Sequence, residues 1–471
     1  MTEVANFRYT AAFPCSVESL YNWHSRKGAL ERLIPPWEKT EVRQRRGGLD
    51  PGGMVEMRMH AGPVPFRWIA HHVENVPGAM FRDVMHKGPF SHWSHRHRFY
   101  ECDKRACLED SIEYALPLHG LLPSFLQKHV DTTLQRTFQH RAAVLAADLE
   151  LHRRCGTQSS KVLVSGASGV LGRALLPLLT TGGHEVWTLV RRKPNREENE
   201  LYWNPMAGKM DDLPYFDAVI HLAGEYIGLG RWNTAKKKAV LESRTRGTTL
   251  LAGALAAQTR QPKVFLCASA VGYYGDTSSA TVDENSSSGD GFIAEVCRKW
   301  EDAAQVAAEA GIRTVLMRIG VALSPQGGAL QRLLSTAPLG IMRRFGRGDQ
   351  FISWISLDDT ISAIYHAMCC PALHGPVNMT APFPVCNSSF MEILSEISGY
   401  PLLFPVPESY LKAVYGQMAT EIVLSSSRTD CRKLLDSGFI FRHRTLEEAL
   451  CGLLGKFGID NGSTTSKRRE G

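Results

Sequence analysis

The chain has 471 residues, of which 44% are hydrophobic and 21% are charged. This length corresponds to two or three domains and the composition is typical of folded proteins, which excludes a single small module and a globally disordered chain. The formal net charge of +7 is small and scattered, so a nucleic-acid partner is not expected. We interpret the charge as a preference for a small anionic ligand.

The sequence shows no signal peptide and no membrane span. Glu3 and Arg8 fall where a signal peptide would place its apolar segment, and no run approaches the ~20 apolar residues of a membrane-spanning helix. The eleven cysteines are odd in number and lack C-x-x-C spacing, which is typical of reduced thiols. We therefore predict a cytoplasmic protein without a disulfide framework.

Histidine content divides the chain, because twelve of the seventeen histidines lie at or before His152. The polar segment 153–160 follows and predicts a linker. We expect an α+β domain over 1–155, with strand-like alternation at 55–70 and 92–99 and a closing helix at 130–152.

Apolar runs alternate with helical stretches beyond residue 160. We predict strands at Lys161–Ser165, Glu185–Val190, 218–223, 263–269 and 314–321, and helices at 244–257 and 293–310. This alternation is typical of an α/β doubly wound parallel sheet, the Rossmann arrangement, here over 160–400. A small helical subdomain at 401–458 and a disordered tail at 459–471 complete the predicted organisation.

The segment KVLVSGASGVLG at 161–172 is the strongest motif, since three glycines separate a predicted strand from a predicted helix. Glycine allows a tight turn close to a pyrophosphate, and the helix directs its free N–H groups at the anion. The motif predicts a dinucleotide site, and the alternative is a glycine-rich structural turn. The predicted cofactor-binding residues here are Gly166, Ser168, Gly169, Val170, Leu171 and Gly172.

Arg191 and Arg192 follow the second predicted strand, where a site for NAD would carry an acidic residue. A guanidinium group can bind a phosphate with two donors, so we predict NADP (NADPH), with a solvated arginine pair as the alternative. Arg244, at the start of a predicted helix, either faces the phosphates or is a surface charge. Residues at two further strand ends complete the predicted cofactor shell: Leu222, Ala223, Gly224, Ala268 and Ser269.

Six segments, in order, carry a family resemblance: SGASGVLG, HLAGE, SAVGYYG, GFIAEVCRKWE, MRIGVALSPQGGAL and SWISLDD. Together they resemble the epimerase branch of the atypical extended short-chain dehydrogenase/reductases. The block at 415–450 resembles the C-terminal domain of unknown function of that branch. The first ~150 residues, through NFRYTAAFP, HWSHRHRF, DSIEYALPL and the final helix, resemble the START-like fold related to polyketide cyclases. That resemblance implies a curved sheet around a long helix, enclosing an apolar ligand cavity.

The resemblance also implies a catalytic Tyr-x-x-x-Lys pair, which this chain lacks at the corresponding helix. Ile293 and Cys297 stand at those positions, and the family's serine position falls on Ala270. The Tyr-x-x-x-Lys at 100–104 lies in the N-terminal domain, where we interpret it as chance. The remaining candidates for proton transfer are Ser269, Tyr273, Tyr274 and Glu225.

Three functions remain open at this point. The first is an NADP-binding oxidoreductase or epimerase-like enzyme acting on a small, lipophilic molecule that the N-terminal domain binds or delivers. The second is a non-catalytic NADPH sensor or scaffold, and the third is a lipid-binding protein. The sequence does not give the oligomeric state.

Histidines 92, 95 and 97 invite comparison with a metal site. His95 and His97 share one face of a predicted strand, but no acidic or cysteine ligand stands at a suitable spacing nearby. We interpret the histidines as alternating strand surface and predict no metal site.

Overall fold

The structure is a computed structural model that describes residues 4–117, 124–156, 158–228, 230–335 and 341–456. The tail predicted at 459–471 lies outside these residues. Within the described ranges, no helix combines the length and the apolar character needed to cross a membrane. The cytoplasmic location stays a prediction.

An antiparallel sheet of seven strands forms the N-terminal domain, in the order β1-β7-β6-β5-β4-β3-β2. The strands are β1 (Ala5–Phe13), β2 (Glu41–Arg46), β3 (Met54–Ala61), β4 (Val64–Val76), β5 (Met80–Lys87), β6 (His92–Cys102) and β7 (Arg105–Ala115). The helices are α1 (Val17–Ser25), α2 (Ala29–Leu33) and α3 (Ser124–Cys155).

The long helix α3 packs against this sheet through an apolar stripe. Phe138 contacts a cluster that includes Phe7 and Ile112, and Leu145 contacts a second cluster around Trp23 and Phe99. A sheet gripping a long C-terminal helix is the START-like arrangement, so that part of the predicted fold class is confirmed.

The strand-like pattern expected at 55–70 is confirmed, and it forms two strands because Gly62 adopts a positive φ of 61° and turns the chain between β3 and β4. The expectation for the cysteines of this domain is wrong. Cys102 and Cys107 form a disulfide across the hairpin of β6 and β7, although we expected reduced cysteines throughout. The hairpin register brings the two residues together, which scattered spacing does not reveal.

The second domain is a sheet of eight strands in the order β11-β10-β9-β8-β12-β13-β15-β20. Every pairing is parallel except that of β10 with β11. The strands from here to the C-terminus are β8 (Lys161–Ser165), β9 (Glu185–Val190), β10 (Glu200–Asn204), β11 (Lys209–Met210), β12 (Ala218–His221), β13 (Val264–Ala270), β14 (Thr281–Val282), β15 (Arg313–Ile319), β16 (Val321–Leu323), β17 (Met342–Phe345), β18 (Phe351–Ile352), β19 (Trp354–Ser356), β20 (Gly375–Met379), β21 (Val385–Cys386), β22 (Leu402–Val406) and β23 (Arg428–Thr429).

Helices cover this sheet and confirm the doubly wound α/β fold. The helices from here to the C-terminus are α4 (Val170–Thr181), α5 (Thr234–Ala256), α6 (Phe292–Glu309), α7 (Gly328–Ser335), α8 (Leu357–Cys369), α9 (Asn387–Ser398), α10 (Glu408–Tyr415), α11 (Arg432–Asp436) and α12 (Leu446–Leu454). Of these, α4, α5, α6 and α8 contribute most of the helical side chains that pack against the sheet. The chain reverses its direction of strand addition between β8 and β12. The carboxyl ends of those two strands therefore form the crevice in which open α/β sheets bind ligands.

A buried arginine joins the two domains. Arg32 of α2 donates to both carboxylate oxygens of Asp148 in α3, at 2.8 and 2.7 Å, and to Asp358 Oδ1 of α8 at 2.9 Å. Removing one partner of such a buried arrangement leaves an uncompensated charge, so these bonds resist separation of the domains.

Candidate active site

The glycine turn after β8 places backbone where side chains cannot fit. Gly166 has a φ of +74°, and a Cβ built on it would lie 2.7 Å from the backbone nitrogen of Ala223. A Cβ on Gly172 would lie 2.4 Å from the carbonyl oxygen of Gly166. Both glycines are therefore required for the close packing of the turn against the helix and the neighbouring strand end.

The amino end of α4 is open to a ligand. Gly169 is its N-cap residue, with no side chain to cap the first turn, and Ser168 beside it is exposed. The first amide groups of the helix, those of Val170 and Leu171 among them, have no partners within the helix. Uncapped amides above a glycine turn fit the pyrophosphate of a dinucleotide.

The end of β12 closes the other side of this crevice. Leu222 donates its backbone N–H to the carbonyl oxygen of Ser165 at 3.2 Å, and Ala223 follows beside Gly166. Beneath them, Ser165 Oγ and His221 Nδ1 lie 2.6 Å apart, and burial lowers the pKa of His221 to about 3. His221 is therefore neutral, and its contact with Ser165 joins the ends of β8 and β12 without adding a charge to the crevice.

Arg244 is ten residues into α5, so its predicted place at a helix start is wrong. The helix begins earlier because the Asn233 side chain caps it by accepting from Lys236 N. The Arg244 guanidinium lies over Gly224 and stacks on Trp300, with Cζ 4.9 Å from the ring centroid. Burial lowers its pKa, and the group brings positive charge to the crevice from the helix side.

The two arginines after β9 differ in their surroundings. Arg192 forms a bidentate pair with Glu200, at 2.7 and 2.5 Å, and Glu200 also accepts from the backbone of Asn195. Arg191 is exposed and makes no hydrogen bond or ion pair with any described residue. Only one of the two predicted phosphate ligands is therefore free of a protein partner in the described part of the chain.

Ser269 and Tyr274 are held in a buried polar network. Ser269 Oγ donates to Glu301 Oε1 at 2.6 Å, and Glu301 accepts two bonds from Arg318, at 2.9 and 2.8 Å. The Tyr274 hydroxyl donates to Asn378 at 2.7 Å and accepts from Arg318 at 2.9 Å. Burial raises the pKa of Tyr274 to about 12, which does not suit a general base near neutral pH.

Tyr273 differs from its neighbour. Its ring lies 3.5 Å below the Arg318 guanidinium carbon, and its hydroxyl makes no hydrogen bond with the described residues. Glu225, the fourth candidate, forms an exposed ion pair with Lys236 at 2.6 Å. Of the four candidates, the half-buried Tyr273 is the hydroxyl that remains free to meet a substrate.

An apolar cluster lies next to Tyr273. Ile293 and Cys297, at the positions of the family's tyrosine and lysine, are buried there with Trp232 and Met418. Ile293 fills the space over Gly272, where an added Cβ would lie 2.4 Å from its Cγ2 atom. Hydrophobic packing therefore replaces the usual proton-transferring pair.

Sequence reasoning missed Glu301, Arg318 and Asn378. Register places Ser269, Arg318 and Asn378 side by side on β13, β15 and β20. Arg318 lies inside an otherwise apolar strand, and a buried charge requires a partner. This position was the one signal in the sequence that could have indicated the network.

A small cavity lies between the sheet of the N-terminal domain and α3. Phe13, Leu108 and Phe138 are among its apolar lining residues, and His97 and Asp110 are among the polar ones. The interpretation of the strand histidines as surface is therefore wrong for His97.

The same interpretation is wrong for His95, because its side chain is buried. Two carboxylates lie close to His95 and His97. Asp110, from β7, lies 3.0 Å from His95 Nε2, and Asp83, from β5, lies 3.8 Å from each ring. These acidic neighbours lie on the adjacent strands β5 and β7, so the expectation that the histidines have no acidic neighbour is wrong.

Three family models match this chain. They are the NAD dependent epimerase/dehydratase family over residues 162–376, a domain of unknown function (DUF1731) over 406–453, and the polyketide cyclase/dehydrase and lipid transport family over 13–142. The fold and the crevice thus define a dinucleotide-dependent protein of the epimerase class with an added START-like domain.

Individual relatives specify the family. An epimerase family protein of Mycobacterium bovis is 40% identical over 291 residues, which are 61% of this chain and 96% of that protein. The human epimerase family protein SDR39U1 is 35% identical over 293 residues, 62% of this chain and 98% of that protein. The chain belongs to the NAD(P)-dependent epimerase family, as its motifs predicted.

Two solved structures are similar at more than 30% identity. A nucleoside-diphosphate sugar epimerase from Corynebacterium glutamicum matches with a TM-score of 0.79 and 32% identity, over 96% of this chain and 90% of that one. Human SDR39U1 with NADPH matches with a TM-score of 0.59 and 33% identity, over 62% of this chain and 99% of that one. The Corynebacterium match extends across both domains.

Gly172→Ala tests the cofactor crevice. The added methyl group would meet Gly166 O at 2.4 Å and Ala167 Cα at 2.7 Å, so the turn must move away from the pyrophosphate position. We expect NADPH affinity to fall about tenfold or more, equivalent to losing one hydrogen bond to a charged group. Fluorescence titration of the purified full chain measures the affinity.

Gly253→Ala is the matched control, since no atom lies within 4 Å of the added Cβ on α5. It should leave NADPH affinity unchanged and stabilise the helix by up to about 1 kcal/mol. Wild-type affinity in the Gly172 variant would contradict the assignment of the crevice.

Proposed function

We propose that this protein binds NADPH in preference to NADH and uses it to reduce a lipophilic small molecule. The observation that carries the proposal is the free Arg191 guanidinium at the end of β9, beside the strand whose turn opens on the uncapped amino end of α4. The adenosine 2′-phosphate of NADPH needs a cation at this strand end. The NADPH in the solved human relative supports the same choice.

Arg192 has a supporting role in this proposal. Its two bonds to Glu200 neutralise an acidic group that would otherwise repel a phosphate near the same strand end. Arg191 then provides the planar, two-donor contact with the phosphate. Arg244 adds positive charge on the far side of the crevice.

The chemistry of the proposed reduction divides between cofactor and protein. NADPH supplies a hydride when it is bound. The protein residues exclude water and orient the substrate through the apolar cluster of Trp232, Ile293, Cys297 and Met418. Tyr273 lies beside that cluster and donates a proton to the substrate oxygen from its otherwise unpartnered hydroxyl.

A second function, a non-catalytic NADPH sensor, is favoured by one specific observation. Ser269 and Tyr274 already have protein partners, and the proton-transferring pair of the family is replaced by Ile293 and Cys297. In that case the crevice would bind cofactor without turnover. The two functions share the cofactor and differ in the role of Tyr273.

Arg191→Ala tests the cofactor preference. Loss of the charge-assisted bonds to the 2′-phosphate should weaken NADPH binding by about 10–100-fold, whereas NADH binding should not change. Isothermal titration with both nucleotides measures the two affinities. Arg196→Ala is the control, because Arg196 pairs with Asp211 at the same edge of the sheet and should affect neither. Equal NADH and NADPH affinity in the wild-type protein would contradict the proposal.

Tyr273→Phe tests the proposed reduction. Wild-type protein should oxidise NADPH with at least one compound in a panel of long-chain aldehydes and ketones. The variant should lose about 100-fold or more in rate at unchanged NADPH affinity, as expected for loss of a general acid.

Tyr215→Phe serves as the control, since Tyr215 bonds Asp217 just before β12, at the amino ends of the strands and away from the crevice. It should leave the rate unchanged. Tight NADPH binding without turnover across the panel would instead establish the sensor, and a wild-type rate in the Tyr273 variant would exclude this residue as the proton donor.

A further inference from the structure

A buried cluster of histidines and aspartates in the N-terminal domain has no part in the proposed reduction. Asp83 of β5 is directly opposite His95 of β6, and His97 of β6 is opposite Asp110 of β7. The side chains of His95, His97 and Asp83 are 8%, 12% and 16% exposed. Three adjacent strands therefore bring these four groups together on the cavity side of the sheet.

One oxygen of Asp83 lies between the two imidazole rings. Asp83 Oδ2 is 3.8 Å from His95 Nδ1 and 3.8 Å from His97 Nε2. The potential ligand atoms of these three residues all lie within 4.8 Å of one another. Two atoms 3.8 Å apart can bind the same ion, because this distance is shorter than two zinc bonds of ~2.0–2.2 Å to nitrogen or oxygen.

Asp110 lies on the opposite side of both rings. Its Oδ1 atom is 3.0 Å from His95 Nε2 and 2.7 Å from His97 Nδ1, the latter at an angle too oblique for a hydrogen bond. When neutral His95 donates Nε2–H to this carboxylate, its Nδ1 lone pair must face Asp83. Two acceptors then face each other across a buried gap, an arrangement that a cation between them would stabilise, in addition to the buried Arg141 guanidinium that lies near Asp83 and Asp110.

We propose that Asp83, His95 and His97 bind a divalent transition-metal ion, with Asp110 as the outer carboxylate that orients His95. Two imidazole nitrogens and one carboxylate oxygen form a ligand set suited to zinc and to other ions of the first transition row. Carboxylates that bond the far nitrogen of a metal-binding histidine are a regular feature of such sites. The proposal does not depend on NADPH binding by the second domain.

The position of the site indicates what else would bind there. Three protein ligands leave a coordination position open, and His97 and Asp110 line the cavity, so the open position faces inward. Phe13, Leu108 and Phe138 line the same cavity. A ligand at the open position would therefore lie among apolar side chains and beside the buried guanidinium of Arg141, which lines the same cavity.

The test uses the full-length protein, stripped with a chelator and dialysed, and Zn²⁺ as the probe. Isothermal titration should show one saturable site per chain. Asp110→Asn should weaken binding by about 10–100-fold and Asp83→Asn by more, since the first removes an orienting group and the second a ligand. The side-chain amide introduced by Asp83→Asn can still donate to His95 Nδ1, so this variant is expected to fold.

His92→Gln is the matched control, because His92 is an exposed residue of the same strand. It should bind Zn²⁺ like the wild type. Circular dichroism and NADPH titration check that each variant keeps both domains folded. The proposal is overturned if the wild type has no saturable site, if Asp83→Asn binds like the wild type, or if His92→Gln loses the site.

The visible spectrum of Co²⁺ distinguishes a metal site from a purely structural histidine cluster, because a cluster that binds no metal leaves the spectrum of free Co²⁺ unchanged. Co²⁺ added to the stripped wild type should give the intense visible bands of a low-coordinate ion with nitrogen and oxygen ligands. If Asp83→Asn fails to fold, the Co²⁺ spectrum of the wild type alone tests whether the site binds a metal ion. A spectrum identical to that of Co²⁺ in buffer would contradict the proposal, and would indicate that a proton rather than a metal ion occupies the gap.

Discussion

A buried ion pair between Arg318 and Glu301 determines the arrangement of the candidate active site. Arg318 lies inside β15, and through this pair α6 is fixed to the carboxyl ends of β13, β15 and β20. The pair engages the hydroxyls of Ser269 and Tyr274 and stacks over Tyr273. Removing one member would leave an uncompensated buried charge, which typically costs about 3–5 kcal/mol.

The usual proton-transferring residues of the family are absent beside this pair. Glu301 and Arg318 satisfy each other and the nearest hydroxyls, and Ile293 and Cys297 make the remaining wall apolar. In the proposed function, the backbone amides and Arg191 form a polar cofactor side of the crevice, and the apolar cluster forms the substrate side. Such a division suits a lipophilic substrate better than a sugar nucleotide, whose hydroxyls would need polar partners.

The sequence predicted the second domain well because its signals are local. Each signal depends only on residues that are close in the sequence. The signals are the apolar strand at Lys161–Ser165, the glycines at 166, 169 and 172, and the arginines after Val190. Domain limits at 155, 160, 400 and 458 stay predictions. The sequence could not predict pairings set by strand register, which join Ser269 to Arg318 and His95 to Asp83. It also misplaced Arg244, because the cap at Asn233 was not recognised.

The two candidate sites lie in domains that the buried Arg32, among other contacts, connects. Arg32 donates to Asp148 of α3 in the N-terminal domain and to Asp358 of α8 in the second domain. Its guanidinium therefore links these two helices. The Corynebacterium structure aligns over 96% of this chain, so the similarity extends over both domains.

A crystal structure of the full chain with NADPH tests the central claim most directly. We expect the Arg191 guanidinium to contact the 2′-phosphate and Tyr273 to provide the free hydroxyl nearest to nicotinamide C4. We also expect Ser269 and Tyr274 to keep their bonds to Glu301 and Asn378. A 2′-phosphate away from Arg191, or a Ser269 or Tyr274 hydroxyl released from the network toward the nicotinamide, would contradict this assignment.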